Sequence, residues 1–464
     1  MSFPQRAASA LADEQLRRNL GNATATITQR RAEAVAELPD WSQLRAAGAA
    51  IKDQTLNELD QELLRFEANA EAAGAKVHWA RDGDEACRIV AELMHARKAK
   101  SAIKVKSLTT DEIGLNNALQ EAGIEAVETD LAELIVQLGN DSQSHILVPA
   151  IHRNRSQIRE LFVRSFAGPE LTDDPADLAE AARLFLRKRF LEAGVGISGA
   201  NFGIAETGSV CVVESEGNGR MCTTLPELLI TVMGIEKLIP SWRDLEVFMQ
   251  LLPRSATGER MSPYTTVWTG VHADDGPKEF HIVLLDNGRT DVLANEVGRQ
   301  ALRCIRCSAC LNVCPVYSRT GGHAYGSIYP GPIGAILVPQ LSRLETGRSL
   351  PFASTLCGAC EDVCPVKIEI PRILVELRAE VVRYEREHGQ QRAERGAMRG
   401  IKVVFAGRRR YEAGQRAGRI AGRLFSRRGK IDRAPGPLRA WTASRSMKPV
   451  AAETFRRWWR RRER

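Results

Sequence analysis

Seven of the ten cysteines in this 464-residue chain fall between positions 304 and 364. Cys304, Cys307, Cys310 and Cys314, followed by Pro315, give the spacing C-x2-C-x2-C-x3-C-P. Three thiolates at intervals of three let one loop wrap three corners of an iron–sulfur cubane. The fourth, just before a proline, is carried away toward a second cluster. Downstream, "STLCGACEDVCP" repeats the pattern with Cys357, Cys360 and Cys364, but Ser354 stands where the first thiol belongs. The spacing therefore assigns Cys304, Cys307, Cys310 and Cys364 to one 4Fe-4S cluster, and Cys314, Cys357 and Cys360 to a second. Structural zinc usually takes two separated C-x2-C pairs, and it does not account for a repeated C-P ending.

The second cluster is one thiolate short, and three completions are open. Ser354 supplies an alkoxide, a poor ligand at neutral pH. Alternatively, the fourth iron carries water or a partner's group, or is absent. Or one of Cys87, Cys211 and Cys222 reaches across from elsewhere in the chain, although buried free cysteines commonly serve as small hydrophobes. An open or non-cysteine corner is the expectation.

Elements must position these thiols. Residues from about 10 to 75 read as helical, with Leu56, Leu59, Leu63 and Phe66 at helical spacing and Gly74 as a stop. Short β-like runs ("KVHWA", "SAIKVKS", "IEAVE", "HILVPAI") then alternate with helical ones, which implies parallel strands with crossover helices. A glycine-rich β-like stretch, "GVGISGANFGIAETGSVCVVESEGNGRM", follows the helical "DLAEAARLFLRKRFLEAG". From about 296 the chain reads as a small helical domain built around cysteine loops. The expected divisions are N-terminal helices at 1–69 packing on an α/β domain at 70–295, a two-cluster ferredoxin-type domain at 296–390, and a basic, partly helical or disordered tail at 391–464.

Charge divides the chain as well. Residues 401–464 hold 20 Lys+Arg against 4 Asp+Glu, while the first 400 hold 45 against 53. The body is mildly acidic and the tail strongly basic, with few large apolar residues, so its order is doubtful. Such a tail reads as a solvated charge run, or as an anchor on an anionic membrane surface supported by Trp458 and Trp459 among arginines. Nucleic acid ranks last as a partner, since no recognised module is present. No run of eighteen apolar residues spans a bilayer, and the start lacks a signal-peptide core. The expected location is the cytoplasm, with peripheral contact at the inner membrane face.

The intact cysteine run, "GGHAYGSIYPGPIG", "LCGACEDVCPVKIEIP", the glycine-rich stretch running on to "CTTLPELLI", "GIEKLIPS" and "HIVLLDNGR" together resemble the lactate utilization protein B family. That resemblance implies the iron–sulfur component of a three-protein system oxidising L-lactate to pyruvate, with two 4Fe-4S clusters. It also implies an α/β domain similar to sugar-phosphate isomerase and CoA-transferase folds, and other proteins of the system as partners. The extreme tail, "FRRWWRRRER", matches no motif of that family.

Other candidates compete with plain structural roles. Glu206, in "IAETGSV" with Thr207, Gly208 and Ser209, is a nucleophile by analogy with CoA transferases, or the cap of a tight turn. Asn218, Gly219 and Arg220 hold a carboxylate, or form a hairpin. His323 tunes the second cluster through a hydrogen bond to sulfur, or packs in a Gly-rich loop. No G-x-G-x-x-G fingerprint supports hydride transfer on this chain. Two functions remain: an electron-transfer subunit, or a catalytic subunit that binds a 2-hydroxy acid at an open iron or in the α/β loop.

Overall fold

The structure is a computed structural model that describes residues 1–389, 392–436, 439–442 and 445–462. Residues 1–381 and 382–464 form two compact units.

In the first unit, helices cover Phe3–Ala12, Glu14–Ala36, Trp41–Asn57 and Leu59–Ala72. The second starts where the Asp13 carboxylate accepts from Leu16 N at 2.9 Å, an N-cap that satisfies one orphan donor. Leu56, Leu59, Leu63 and Phe66 are buried as the periodicity requires. The chain leaves the last helix at Gly74, whose φ of +95° is open to glycine and costly for other residues.

Strands β1 (Lys76–Ala80), β2 (Ser101–Lys104), β3 (Glu125–Glu128), β4 (Val195–Ser198), β5 (Phe202–Ile204), β6 (Ser209–Glu214), β7 (Leu228–Gly234), β8 (Leu238–Ile239), β9 (Tyr264–Trp268) and β10 (Glu279–Leu285) follow. Six of them form a parallel sheet in the order β1-β10-β7-β4-β2-β3. Every residue of β7, "LLITVMG", is buried, as expected of a central parallel strand covered on both faces. At the edge strand β3, the Gln137 amide donates to Ala126 O at 2.7 Å and accepts from Glu128 N at 3.1 Å. One side chain thus imitates the next strand and blocks open pairing.

One local expectation is corrected, that for "HILVPAI", and two are made more definite. The glycine-rich stretch contributes to a second sheet, β8-β5-β6-β9, which strand–helix alternation alone does not reveal. "HILVPAI" is not a strand. Ser144 N bonds Pro149 O, and His145 Nδ1 accepts from Leu147 N and Val148 N at 3.0 and 3.1 Å, so the segment folds on itself. The basic end is helical over Arg392–Phe405, Arg408–Phe425 and Phe455–Arg462, because arginine and alanine are strong helix formers even where little is buried.

The cysteine-rich part is built of short helices, with longer ones at Gly331–Leu341 and Ile370–Glu387. The N-terminal helices reach this part as well as the α/β part. Arg31 Nη2 donates to Val363 O at 2.8 Å, Arg45 Nε to Cys364 O at 2.8 Å, and Arg6 Nε to Ala324 O at 3.0 Å. Phe66, Phe248, Leu311, Tyr317 and Leu374 belong to one continuous core.

Candidate metal centre

The two cysteine runs repeat in conformation as well as in spacing, offset by 50 residues. Arg306 and Ser308, flanking Cys307, have φ of +61° and +65°; Leu356 and Gly358, flanking Cys357, have +54° and +87°. Alternating left-handed residues curl each loop inward around its sulfurs. Each curl then enters a one-turn helix, Ala309–Asn312 or Ala359–Asp362. Backbone donors point at sulfur: Arg306 N to Cys304 Sγ, Tyr317 N to Cys314 Sγ and Ile368 N to Cys364 Sγ, each at 3.4 Å.

Cys304, Cys307, Cys310 and Cys364 line one pocket, walled by Ile146, Ile333 and Val366. Burial first, then repulsion from the other thiols, drives Cys310 well above the ordinary thiol range. Burial likewise raises Cys364 to about 11. Four thiolates in such a site require a cationic counter-group, and soft sulfur donors in a dry pocket suit iron–sulfur chemistry. Cys314, Cys357 and Cys360 act electrostatically on one another as a second group, and Cys360 acts on Cys310 as well, so the two groups adjoin. Cys357 is exposed, whereas Cys314 and Cys360 are buried.

At the remaining corner, Ser354 Oγ accepts from Leu356 N at 3.1 Å. The three other cysteines have partners in the α/β part. Cys222 Sγ meets Thr129 Oγ1 at 3.3 Å, Cys87 Sγ donates to Ile113 O at 3.4 Å, and Cys211 is buried within β6. None of them joins either group of thiols.

Charge around the first group is heavily positive, a feature that the cysteine spacing does not signal. Buried Lys52 and Lys237 and the guanidinium of Arg306 all act electrostatically with Cys304. Glu236, in "GIEKLIPS", sits among them and pairs with Arg289 at 2.5 Å and Arg306 at 3.4 Å. Burial opposes its ionisation, yet Arg289, Lys237 and Arg306 hold its carboxyl at about 2. Arg289 also pairs with Glu112 at 2.8 Å, and Tyr329 Oη donates to that carboxylate at 2.5 Å. These residues are scattered from 52 to 329, so no local spacing signals them.

The remaining candidates each have local hydrogen-bond partners or helical placement away from the thiols. Glu206 is exposed, and its carboxylate accepts from Trp242 N at 3.0 Å, capping the helix Trp242–Ala256. Asn218, Gly219 and Arg220 open a helix, Asn218–Thr224, rather than a hairpin. The donors there already hold a carboxylate: Glu214 accepts from the N–H groups of Glu216, Gly217 and Arg220 at 2.7, 2.6 and 3.4 Å. His323 turns away from sulfur, its Nε2 donating to Ser142 O at 2.7 Å. Tyr325, two residues on, is the side chain beside Cys314.

A parallel α/β domain joined to a helical domain with a doubled cysteine loop defines an iron–sulfur protein of LUD-domain type. The LUD domain model matches residues 63–285, a 4Fe-4S dicluster domain matches 300–368, and "Lactate utilisation protein B, C-terminal" matches 375–464. Proteins named lactate utilization protein B are similar along their whole length. The one from Shouchella clausii is 41% identical, covering 99% of this chain and 97% of its own. That from Exiguobacterium sp. is 42% identical over 99% and 97%. That from Oceanobacillus iheyensis is 40% identical over 99% and 96%. A solved DUF162 family protein from Deinococcus radiodurans aligns at 13% identity and a TM-score of 0.29, covering 49% of this chain and 98% of its own. The chain belongs to the lactate utilization protein B family, whose name and iron–sulfur domain mark it as a lactate-utilisation protein.

Proposed function

We propose that this chain is the iron–sulfur electron-transfer subunit of a complex that oxidises L-lactate to pyruvate, with other proteins of the lactate utilization system as its partners. The observation that carries this reading is the sorting of seven cysteines into two groups across the two runs. Cys304, Cys307, Cys310 and Cys364 would hold one 4Fe-4S cluster, and Cys314, Cys357 and Cys360 the other, with a non-cysteine or open fourth position. Such clusters supply one-electron transfer. The chain's own part is to hold the thiolates, aim N–H donors at them and surround Cys304 with cations. In the first group Cys307 and Cys364 are buried and Cys304 and Cys310 half-buried, whereas the second includes the exposed Cys357, so the second group is the more surface-facing, as the outer end of a relay would be.

A second reading, in which this chain binds a 2-hydroxy acid itself, draws on that exposure, because a small molecule can reach the corner beside Ser354. The α/β loop is less suited, since its glutamates cap helices. Anaerobic reconstitution of the full chain, with iron and sulfide quantification and low-temperature EPR, separates the two. Two reducible clusters that L-lactate reduces only when partner proteins are added support the electron carrier. Reduction by L-lactate alone overturns it.

The C-terminal unit extends the reading to a peripheral place on the cytoplasmic membrane face. Ile401, Val403, Phe405, Ile420, Leu424 and Phe455 are exposed among arginines, the composition of an interfacial helix. No helix among the described residues is long and apolar enough to cross a membrane. Salt-sensitive sedimentation with anionic liposomes, lost on removing residues 401–464, is the expected result; equal binding without them removes the anchor.

A further inference from the structure

The segment from Gly139 to Asn154 has no regular structure and carries Asp141 and His152. Against it lies the linker between the cysteine runs, held by contacts that only glycine permits. A Cβ on Gly322 would meet Ser144 O at 2.1 Å, and Gly321 has φ of +64°. Gly322 N donates to Ser144 Oγ at 3.2 Å, and Tyr317 Oη donates to Ser144 O at 2.7 Å. This clamp delivers His323 to Asp141 and His152. One ring nitrogen of each histidine and one oxygen of Asp141 lie within 4.8 Å of one another. The two rings meet edge to face at 4.6 Å. His152 Nδ1 is buried and has no hydrogen-bond partner.

The polar contacts of the cluster are few. His152 Nε2 and Arg153 Nη2 each reach Asp141 Oδ2 at 2.7 Å, and His323 Nε2 reaches Ser142 O. Asp141 and His323 also line a cavity of about 880 Å³ that runs along the edge strand β3.

We propose that Asp141, His152 and His323 form a mononuclear site for a first-row divalent cation of the zinc, manganese or iron(II) class. Two imidazoles and one carboxylate are a borderline donor set, unlike the all-thiolate sites of the cysteine runs and the all-oxygen sites of calcium. Three protein ligands leave coordination positions free, here toward the cavity, which is the pattern of metal sites that bind a further ligand. Ligand atoms of such a site stand roughly 3.4 Å apart, so modest side-chain rotation closes the gap. His323, with its side chain 33% exposed, has room to turn. On binding, Asp141 exchanges the His152 hydrogen bond for the metal, and the ion ties the 139–154 segment to the linker beside Cys314.

The test uses the cluster-loaded full chain under anaerobic conditions and Mn²⁺ as the probe, since hard Mn²⁺ has little affinity for thiolate sulfur. The free Mn²⁺ signal in room-temperature EPR falls as the ion binds. The expected result is one Mn²⁺ per chain, displaced by Zn²⁺, with affinity weakened at least about tenfold in D141N and in H323Q. R153Q, which removes a competing cation from Asp141 Oδ2, is expected to bind more tightly. Acid-labile sulfide equal to wild type verifies that each variant is folded, and H323Q keeps the test decisive where D141N does not fold. No uptake of Mn²⁺ by the wild-type chain, or affinity unchanged in folded H323Q, overturns the site.

Discussion

Ser354 makes the same backbone contact as Cys304, fifty residues earlier. The side-chain oxygen of Ser354 accepts from the N–H of Leu356, two residues on, as the sulfur of Cys304 accepts from Arg306. The second loop therefore keeps the shape of a four-thiol loop while presenting oxygen. Ser354→Cys is expected to add a thiolate at that corner, changing the EPR signature of the Cys314/Cys357/Cys360 cluster and slowing its loss in air. Unchanged spectra and stability would mean that another group already fills the corner.

Exchange of the last cysteine between runs makes a second expectation specific. Cys364 lies in the downstream run but shares its pocket with Cys304, Cys307 and Cys310. Cys364→Ala is therefore expected to abolish the cluster of the upstream run while sparing the signals of the other. Cys314→Ala is expected to do the reverse. Iron and sulfide content with EPR distinguishes this from the simple arrangement in which each run loads its own cluster.

Cations near Cys304 bear on potential. Lys52 is 2% exposed, its ammonium bonded to the carbonyls of Glu236 and Leu238. A fixed positive charge favours the reduced, more negative cluster. At an effective dielectric of about 20 and a separation of about 8 Å, one charge is worth roughly 2 kcal/mol, or roughly 90 mV for one electron. Lys52→Met is expected to lower the midpoint potential of the Cys304 cluster by about 50–100 mV at pH 6, where the ammonium is charged, and to leave the other nearly unchanged. Redox titration monitored by EPR measures both.

Glu133 gives the pH dependence. It is 6% exposed, its Oε1 has no hydrogen-bond partner, and burial followed by repulsion from Asp111 raises its carboxyl to about 8. In the unfolded chain it ionises near 4.3. Between those values the folded state keeps a proton that the unfolded state has lost, so this group's contribution to stability falls as pH rises from about 4.3 to 8, then levels. Glu133→Gln removes that slope. The variant is expected to gain about 1–3 kcal/mol on wild type between pH 6 and pH 9 in urea unfolding; parallel curves at the two pH values would show that Glu133 ionises freely.

The pocket shared by Cys304, Cys307, Cys310 and Cys364 was legible in the spacing, because cluster loops are local and Cys-Pro endings mark where the chain turns away. Strand–helix alternation likewise carried the parallel sheet, and the 3.6-residue pattern the N-terminal helices. What stayed hidden is nonlocal. Glu236, Arg289, Glu112 and Tyr329 meet only after folding, and so do Asp141, His152 and His323. "HILVPAI" misled for a related reason: its apolar residues suit a strand, but His145 captures the backbone donors of Leu147 and Val148. In the basic end, composition left helix and disorder both open, and helix propensity, which does not require a core, favours the helices.

On the proposed electron-carrier function, exposure at the second loop marks the place where electrons would cross to a partner. Leu356 and Phe352 are 37% and 51% exposed beside Cys357, and Arg378 stacks on the Phe352 ring at 5.4 Å while donating to Ser354 O at 3.0 Å. Apolar side chains over a surface-facing cluster suit the small contacts of redox partners. Leu356 also has φ of +54°, a left-handed conformation that asparagine adopts more readily than leucine. Leu356→Asn therefore removes the apolar contact while favouring the loop's own backbone, so cluster content is expected to stay at the wild-type level. Combined with Phe352→Ser, it is expected to slow reduction by the lactate-oxidising partners by about tenfold at low partner concentration, a loss of about 1.4 kcal/mol at the contact. Stopped-flow reduction across a range of partner concentrations measures this, and an unchanged rate would move the electron port away from the Cys357 loop.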